Sequence, residues 1–372
     1  VLERGVTLWG ACVSETTIAS TDTTSRSTVE IVGAETSVRN LRISGAAVGI
    51  WLGDTGPASS LHMENILVDS VHGAGLRVEG GRVTGTSIVI RDIRGPSDDR
   101  GYGFGVHLDG PSAGVSLSRV VVDGSHGSGV SVMGGLLELI DAVISDTTSL
   151  EQNPGSGFGV SVSSPGRARL TRVVIDDNHT AGCLVSGDGA FLELEDALVS
   201  DTRSSESLED FGRGLEIHDF GQARLERVIL QRNRRSGIAV LSGASLSASD
   251  LLVRDVFESE GSGKYGSGLL VGSGARCELT RGLLVAPRRR GIAVLSEGTR
   301  FEAEDVTIRA VRVQGSDGRG GGGVEFSQGS IGALSRLLVE SVFEYGLLVS
   351  GTGTTVSTED VVVRDVAQPW MA

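Results

Sequence analysis

The chain has 372 residues, a formal net charge of −14, 4% aromatic residues, 7 prolines and 55 glycines. An acidic chain lacks the basic face that displaces counterions from a nucleic acid, and no run of about 18 apolar residues is present to span a membrane. Glycine follows no three-residue period, which excludes collagen, and Val, Leu and Ile recur throughout, which excludes a disordered chain.

Residues 1–46 carry no clean repeat and read as irregular N-terminal coils; the chain starts at Val1 without a signal-peptide pattern and reads as part of something longer. From residue 47 to 366 one phrase recurs: Gly, apolar, any, apolar. It runs from Gly75 to Val78, Gly105 to Leu108, Gly129 to Val132 and Gly159 to Val162. It continues from Gly214 to Ile217, Gly237 to Val240, Gly268 to Val271, Gly291 to Val294, Gly323 to Phe326 and Gly346 to Val349. Alternation of period two after a glycine predicts a strand entered from a tight corner. A second apolar strand follows each one, as in Arg119 to Asp123 or Arg172 to Asp176. Counting Gly182, the glycine-to-glycine steps from Gly75 are 30, 24, 30, 23, 32, 23, 31, 23, 32 and 23 residues. Each step is one turn of a solenoid. Residues 367–372 form a tail.

The expected fold is therefore all-β, one continuous domain over residues 1–372: a single-stranded right-handed parallel β-helix of about 13 coils, alternating short coils of ~24 residues with long coils of ~31. Through these glycine phrases and second strands the chain resembles the pectate-lyase-like β-helix repeat proteins over nearly all of Thr7 to Val366. The resemblance implies a fold that hosts lyases, hydrolases, epimerases, adhesins and tail spikes, and so implies no single activity.

Long coils run 13 residues from Asp92, Asp146, Asp201 or Asp255 to the next strand glycine, whereas short coils run six from Asp69, Asp123 or Asp176. The additional segments, such as Ser97 to Arg100 and Ser207 to Asp210, are expected to project as loops from alternate coils. Glu206, Glu209, Asp210, Glu258 and Glu260 make that edge acidic, and Tyr102, Phe211, Phe257 and Tyr265 read first as loop packing and second as platforms for sugars. Gly315 to Gly323 resembles one calcium-binding nonapeptide without tandem copies.

Equivalent residues stack in a solenoid, so side chains are read in columns. One column precedes the second strand: Arg119, Arg172, Arg227, Arg281 and Arg336 in short coils, and Asp141, Asp196, Asp250, Asp305 and Asp360 one residue earlier in long coils. Alternating signs along the axis predict a structural charge ladder, because opposite charges on neighbouring strands attract. A second column, His72, His126, His179, Arg234 and Arg288, ends at Phe343 and reads as a candidate ligand strip. Imidazole beside carboxylate is a usable acid–base pair, and Arg grips carboxylates at two points. Asp176, Asp177, His179 and Arg232 are the best catalytic candidates, although the resemblance would imply a Gly-His-Gly step or clustered calcium-binding acids, and neither is reproduced.

No metal site is expected, because histidines two coils apart cannot share one zinc ion; calcium is the one cofactor left open. Cys12, Cys183 and Cys277 lie too many coils apart for disulfides and are expected as three packed free thiols. Lys264 is the single lysine, so a mechanism needing a lysine has one candidate. A regular array without a charge-dense patch reads first as a non-catalytic extracellular or cell-surface scaffold displaying loops for adhesion or glycan contact. The alternatives are a lyase, hydrolase or epimerase acting on an acidic polysaccharide, and a passive spacer in a larger surface protein. The expected partners are a polysaccharide or another surface protein, with flanking chain or a cap at both ends.

Overall fold

The computed structural model describes the chain except for residues 3–4, 22–25, 33–34, 46, 54–58, 96–102, 151, 205–210 and 368–372. Every regular element among the described residues is a β-strand, and the strands form two parallel sheets of 15 and 13 strands. From the strand Thr36–Gly45 onward, successive strands of the chain alternate between the two sheets, one crossing each way per coil, as the glycine spacing implies for a parallel β-helix. The chain divides into two compact units, Val1–His179 with Ala190–Leu192, and Thr180–Gly189 with Glu193–Ala372. Segments 97–100 and 207–210, and with them Tyr102, Glu206, Glu209 and Asp210, lie outside the described residues.

The glycine phrases form the short strands. In the first unit Val130 and Val132 stack on Val106 and Leu108 on one side and Val160 and Val162 on the other, all fully buried. Stacking like on like closes the coil interior, and each such side chain contributes about 1.5–3 kcal/mol of burial. The leading glycines are required by space rather than by a special φ. A Cβ on Gly129 would lie 2.6 Å from Ile144 Cγ2 and 2.8 Å from the carbonyl oxygen of Gly159; in the second unit Gly237 meets Val253 Cγ1 at 2.5 Å and the Gly268 carbonyl at 2.7 Å. This column is where the strand passes closest to the opposite wall of its own coil.

The long strands bend once in the middle. Ser118 pairs with Ile140 and Val120 with Ala142, leaving Arg119 and Asp141 opposite one another at φ 53° and 57°. The Arg and Asp residues thus share one left-handed corner position, correcting the offset of one residue expected from the sequence. At the same corner Asn65 Nδ2 donates to Asn40 Oδ1 at 2.9 Å, both residues at positive φ. Asn and Asp tolerate this conformation through short polar side chains; Arg does not, and costs ~1 kcal/mol or more there. What Arg gains is reach. Arg172 donates Nε and Nη2 to the two carboxylate oxygens of Asp141 (2.6 and 3.1 Å). In the second unit Arg281 does so to Asp250 (2.7 and 2.7 Å) and Arg336 to Asp305 (2.6 and 2.9 Å). Each arginine reaches back one coil; the first, Arg119, reaches Ser87 Oγ at 3.1 Å instead. The arginine hydrogen bonds, and then the nearby positive charge, hold Asp141, Asp250 and Asp305 below the ordinary carboxylate range.

A second left-handed corner follows five residues later, at Asp92, Asp146, Asp177, Asp201, Arg232 and Asp255 among others. Register pairs Ser145 with Asp176, so the equivalent of Asp146 is Asp177 rather than Asp176, and that of Asp92 is Ser70 rather than Asp69. Buried asparagines staple this corner. Asn178 Oδ1 accepts the Thr147 amide at 3.2 Å while Nδ2 donates to the Ile144 carbonyl; Asn233 does the same for Thr202 and Val199. All three cysteines are free; Cys183 and Cys277 are buried, which pushes both thiols up, but Cys12 is exposed, with Sγ 3.2 Å from Ser14 Oγ, and is not a packing residue.

Gly129→Ala is expected to lower the stability of the protein by about 1–3 kcal/mol through overpacking, whereas Gly114→Ala, whose Cβ would meet nothing closer than 3.8 Å, should be near neutral in the same thermal melt. Arg227 touches Asp196 and Glu195 at 2.6 Å and also Glu226. Arg227→Asp should lower the melting temperature although Asp suits the left-handed corner better than Arg, and added salt should recover part of the loss. A melt equal to that of Arg227→Asn would remove like-charge repulsion as the cause.

Candidate functional site

The sequence candidates separate by their partners. In the first unit His72 and His179 are half-buried and His126 is exposed, with the His179 amide donating to the Thr147 carbonyl at 2.9 Å. Asp176 ends its strand and its carbonyl accepts from Asn178 Nδ2, while Asp177 is a corner residue at φ 53°. In the second unit the Arg232 guanidinium is bound through two nitrogens to Asp201, with Nε at 2.8 Å from Oδ1. Arg234 pairs with Glu260 at 2.8 Å, and Arg288 lies 3.8 Å from Glu258. Arg234 and Arg288 both lie over the Phe257 ring, 5.9 and 5.6 Å from its centroid. Tyr265 is flanked in the same way by Arg235 and Arg289, at 4.6 and 5.7 Å. Both rings serve as packing between arginines.

Beside these stacks the second unit holds a cleft of about 370 Å³ lined by Lys264, Arg289, Arg290, Gln314, Asp317, Arg319, Gly320 and Glu344. Two loops of long coils build its wall across the short coil between them. Gly315 N donates to Glu258 Oε1 (2.8 Å), Ser316 Oγ to the Gly263 carbonyl (2.6 Å), and the buried Gln314 Nε2 to the Tyr265 carbonyl (3.0 Å). Tyr265 itself sits at φ 72°, an unfavourable conformation for an aromatic residue that the clasp holds in place. The nonapeptide-like segment is this wall: Asp317 Oδ1 accepts the Arg319 amide at 2.9 Å. Among the described residues no group of three or more metal-ligating side chains is found.

At one end of the cleft Arg290 forms an ion pair with Glu325, and the Tyr345 hydroxyl donates to Glu325 Oε2 at 2.9 Å. Tyr345 lies across Gly322, where a Cβ would collide with the ring at 2.2 Å. Burial, and then the charge of Glu325, push the Tyr345 phenol up to about 12, so it keeps its proton at neutral pH. Arg289 differs from the ladder arginines Arg172, Arg227, Arg281 and Arg336. Among the described residues no carboxylate lies within ion-pair distance of it, and burial together with neighbouring Arg290 lowers its pKa. A half-buried cation without a counter-ion costs stability unless an anion is bound. A guanidinium without a carboxylate partner can neutralise an incoming carboxylate, and a phenol holding its proton on the neighbouring Arg290 can supply a proton. Lys264, singled out as the only lysine, lines this cleft; Glu325 and Tyr345 carried no signal in the sequence because their partners lie 35 and 55 residues away from them in the chain.

A larger groove of about 500 Å³ runs over Glu278, Glu302, Glu304 and Glu359, and its acidity opposes an anionic ligand. The first unit carries a different cluster. His107 stacks on Phe104 with centroids 4.3 Å apart, and Asp109 lies 2.8 Å from Arg77 Nη2 and 3.8 Å from His107 Nε2. Burial first, and then the charge of Arg77, lower the His107 pKa from 6.5 to about 4, so it is neutral at pH 7.

No protein-family model matches the sequence, and no curated protein matches it. Among solved structures the chain is similar to the A-module of the mannuronan C-5 epimerase AlgE4 of Azotobacter vinelandii. The TM-score is 0.52 at 15% identity, covering 89% of this chain and 84% of that one. It is also similar to the AlgE6 A-module of the same organism (TM-score 0.47, 14% identity, 94% and 88% covered). The match to the Agl-KA catalytic domain has a TM-score of 0.48 at 10% identity over 90% of this chain, which spans 62% of that domain. The fold is the parallel β-helix that the glycine phrases suggested.

The pH dependence of stability should carry the mark of His107. Because its folded pKa is depressed, the unfolded chain takes up the proton first, so stability is full above pH 6.5 and falls as the pH drops toward 4, by on the order of 3 kcal/mol. Chemical denaturation between pH 4 and 7 should show this slope, and His107→Gln should flatten it.

Proposed function

We propose that the chain is a carbohydrate-active β-helix enzyme acting on an acidic polysaccharide, with the cleft lined by Lys264, Arg289 and Arg290, and Tyr345 behind Arg290, as its site. One observation carries this: Arg289, half-buried and without a carboxylate among the described residues, lies in the same cleft as Arg290, which binds the Tyr345–Glu325 pair. A uronic-acid carboxylate docked on Arg289 has its charge neutralised, which acidifies the adjacent ring C–H, the first requirement of a lyase or an epimerase. That ring proton passes to the Asp317 carboxylate in the cleft lining, and Tyr345, protonated at neutral pH and held by Glu325 and Arg290, returns a proton to the leaving oxygen or to the opposite face of the ring. The fold shared with a mannuronan epimerase module is compatible with this chemistry.

The display scaffold, the first reading of the sequence, rested on the lack of a charge-dense irregular patch, and the charged cleft favours the enzyme reading that stood as its alternative. An extracellular or cell-surface location goes with a polysaccharide substrate and is part of the proposal.

Incubation with alginate and with polygalacturonate, with and without calcium, is expected to give unsaturated uronates or uptake of solvent deuterium into the polymer. Tyr345→Phe should lower the rate about 100-fold or more. Release of reducing ends without unsaturation would indicate hydrolysis instead. Inertness of the folded protein on all of these polymers would overturn the proposal.

A further inference from the structure

We infer that the cleft is a row of three carboxylate subsites, one per coil, closed at its downstream end by Glu344, so that its ligand is a run of three acidic sugars lying along the coil axis of the second unit. This rests on the acidic-polysaccharide proposal above and specifies how much of the polymer the site grips.

The strands Ser267–Gly272, Arg290–Leu295 and Gly322–Ser327 are neighbours in the 13-stranded sheet. Each is preceded by one cation that has no carboxylate within ion-pair distance among the described residues: Lys264, Arg289 and Arg319, all lining the same cleft. Successive parallel strands are spaced by roughly 4.8 Å, close to the advance of one pyranose in an extended polysaccharide, and Lys264 and Arg319 stand two residues before the register position of Arg289, on the long-coil loops that flank it. One uncompensated cation per coil therefore meets one carboxylate per sugar.

Both ends of the row are marked. Upstream, Arg234 already holds Glu260, and within the middle coil Arg288 is taken by Glu258, which leaves Arg289 as that coil's uncompensated charge. Downstream, register carries the position of Arg289 through Gly321 to Glu344 in the next coil but one. Glu344 Oε1 is fixed by the Gly320 amide at 3.0 Å, which places a negative charge where a fourth carboxylate would arrive. A polymer charged on every sugar is drawn in over three coils and repelled at the next.

The experiment is calorimetric titration at low salt with oligogalacturonates and oligomannuronates of two, three, four and six sugars. Affinity should rise roughly tenfold or more from dimer to trimer, the gain expected of one additional charge-assisted contact, and then stay level. Lys264→Ala and Arg319→Ala, both at exposed side chains, should each bring the trimer down toward the dimer, and Glu344→Gln should let the tetramer bind more tightly than the trimer. Equal affinity for dimer and trimer, or a steady rise through the hexamer, overturns the three-subsite row and leaves the acidic-polysaccharide proposal standing. Absence of binding by every oligomer overturns both.

Discussion

Parallel in-register stacking places equivalent residues of successive coils about 4.8 Å apart, and most of this molecule is a response to that one constraint. Each residue is forced against copies of its own position above and below. Aliphatic positions gain from this, as Val106, Val130 and Val160 do. Positions where the strand passes close to the opposite wall accept only glycine, because neither the carbonyl of the next glycine nor the facing aliphatic side chain can withdraw. At the first left-handed corner a charge of one sign repeated at such spacing would repel its neighbours. Alternating Arg with Asp resolves the repulsion, and the ladder therefore sets the repeat at two coils rather than one.

The two-coil repeat in turn determines where irregular chemistry can arise. Only alternate coils carry the long loops, so a short coil is left between two walls. Around Arg288 to Arg290 the flanking loops close over the short coil through Glu258, Gly263, Tyr265, Gln314 and Ser316. The scaffold is regular so that the loops can depart from it at one place, and the cleft arises where two of them clasp.

What was legible in the sequence follows the same division. The fold, the coil count and the four pairs from Asp141–Arg172 to Asp305–Arg336 could be read because they repeat, and repetition is what a single sequence reveals best. The left-handed corner was half visible, since Asn and Asp at regular intervals favour positive φ, but arginines at the same corner hide it and make the two coil types look offset by one residue. Asn178 and Asn233 were invisible as staples because their partners, Thr147 and Thr202, lie in the preceding coil. The sites were least legible. His107 reads as one more outward residue of a glycine phrase, and nothing local marks its stacking on Phe104 or the depression of its pKa. Lys264, Arg289, Arg319, Glu325 and Tyr345 come from four coils, none repeats, and a search for columns passes over them.

The contrast between the ladder and the cleft is informative because the same side chain is used in both. Arg172, Arg281 and Arg336 each take a carboxylate one coil back, and their partners are exposed, so the pairs are worth little individually and serve mainly to fix register. Arg290, less exposed, is paired with Glu325, which also takes the Tyr345 hydroxyl. Arg289 lies next to it, shielded from solvent by the loop clasp, and has no such partner among the described residues. A chain with 47 acidic residues against 33 basic ones does not lack acids to place there. Its lowered pKa records the cost of that arrangement. A carboxylate arriving from outside removes the cost, and the binding energy of an anionic ligand is thereby built into the unliganded fold.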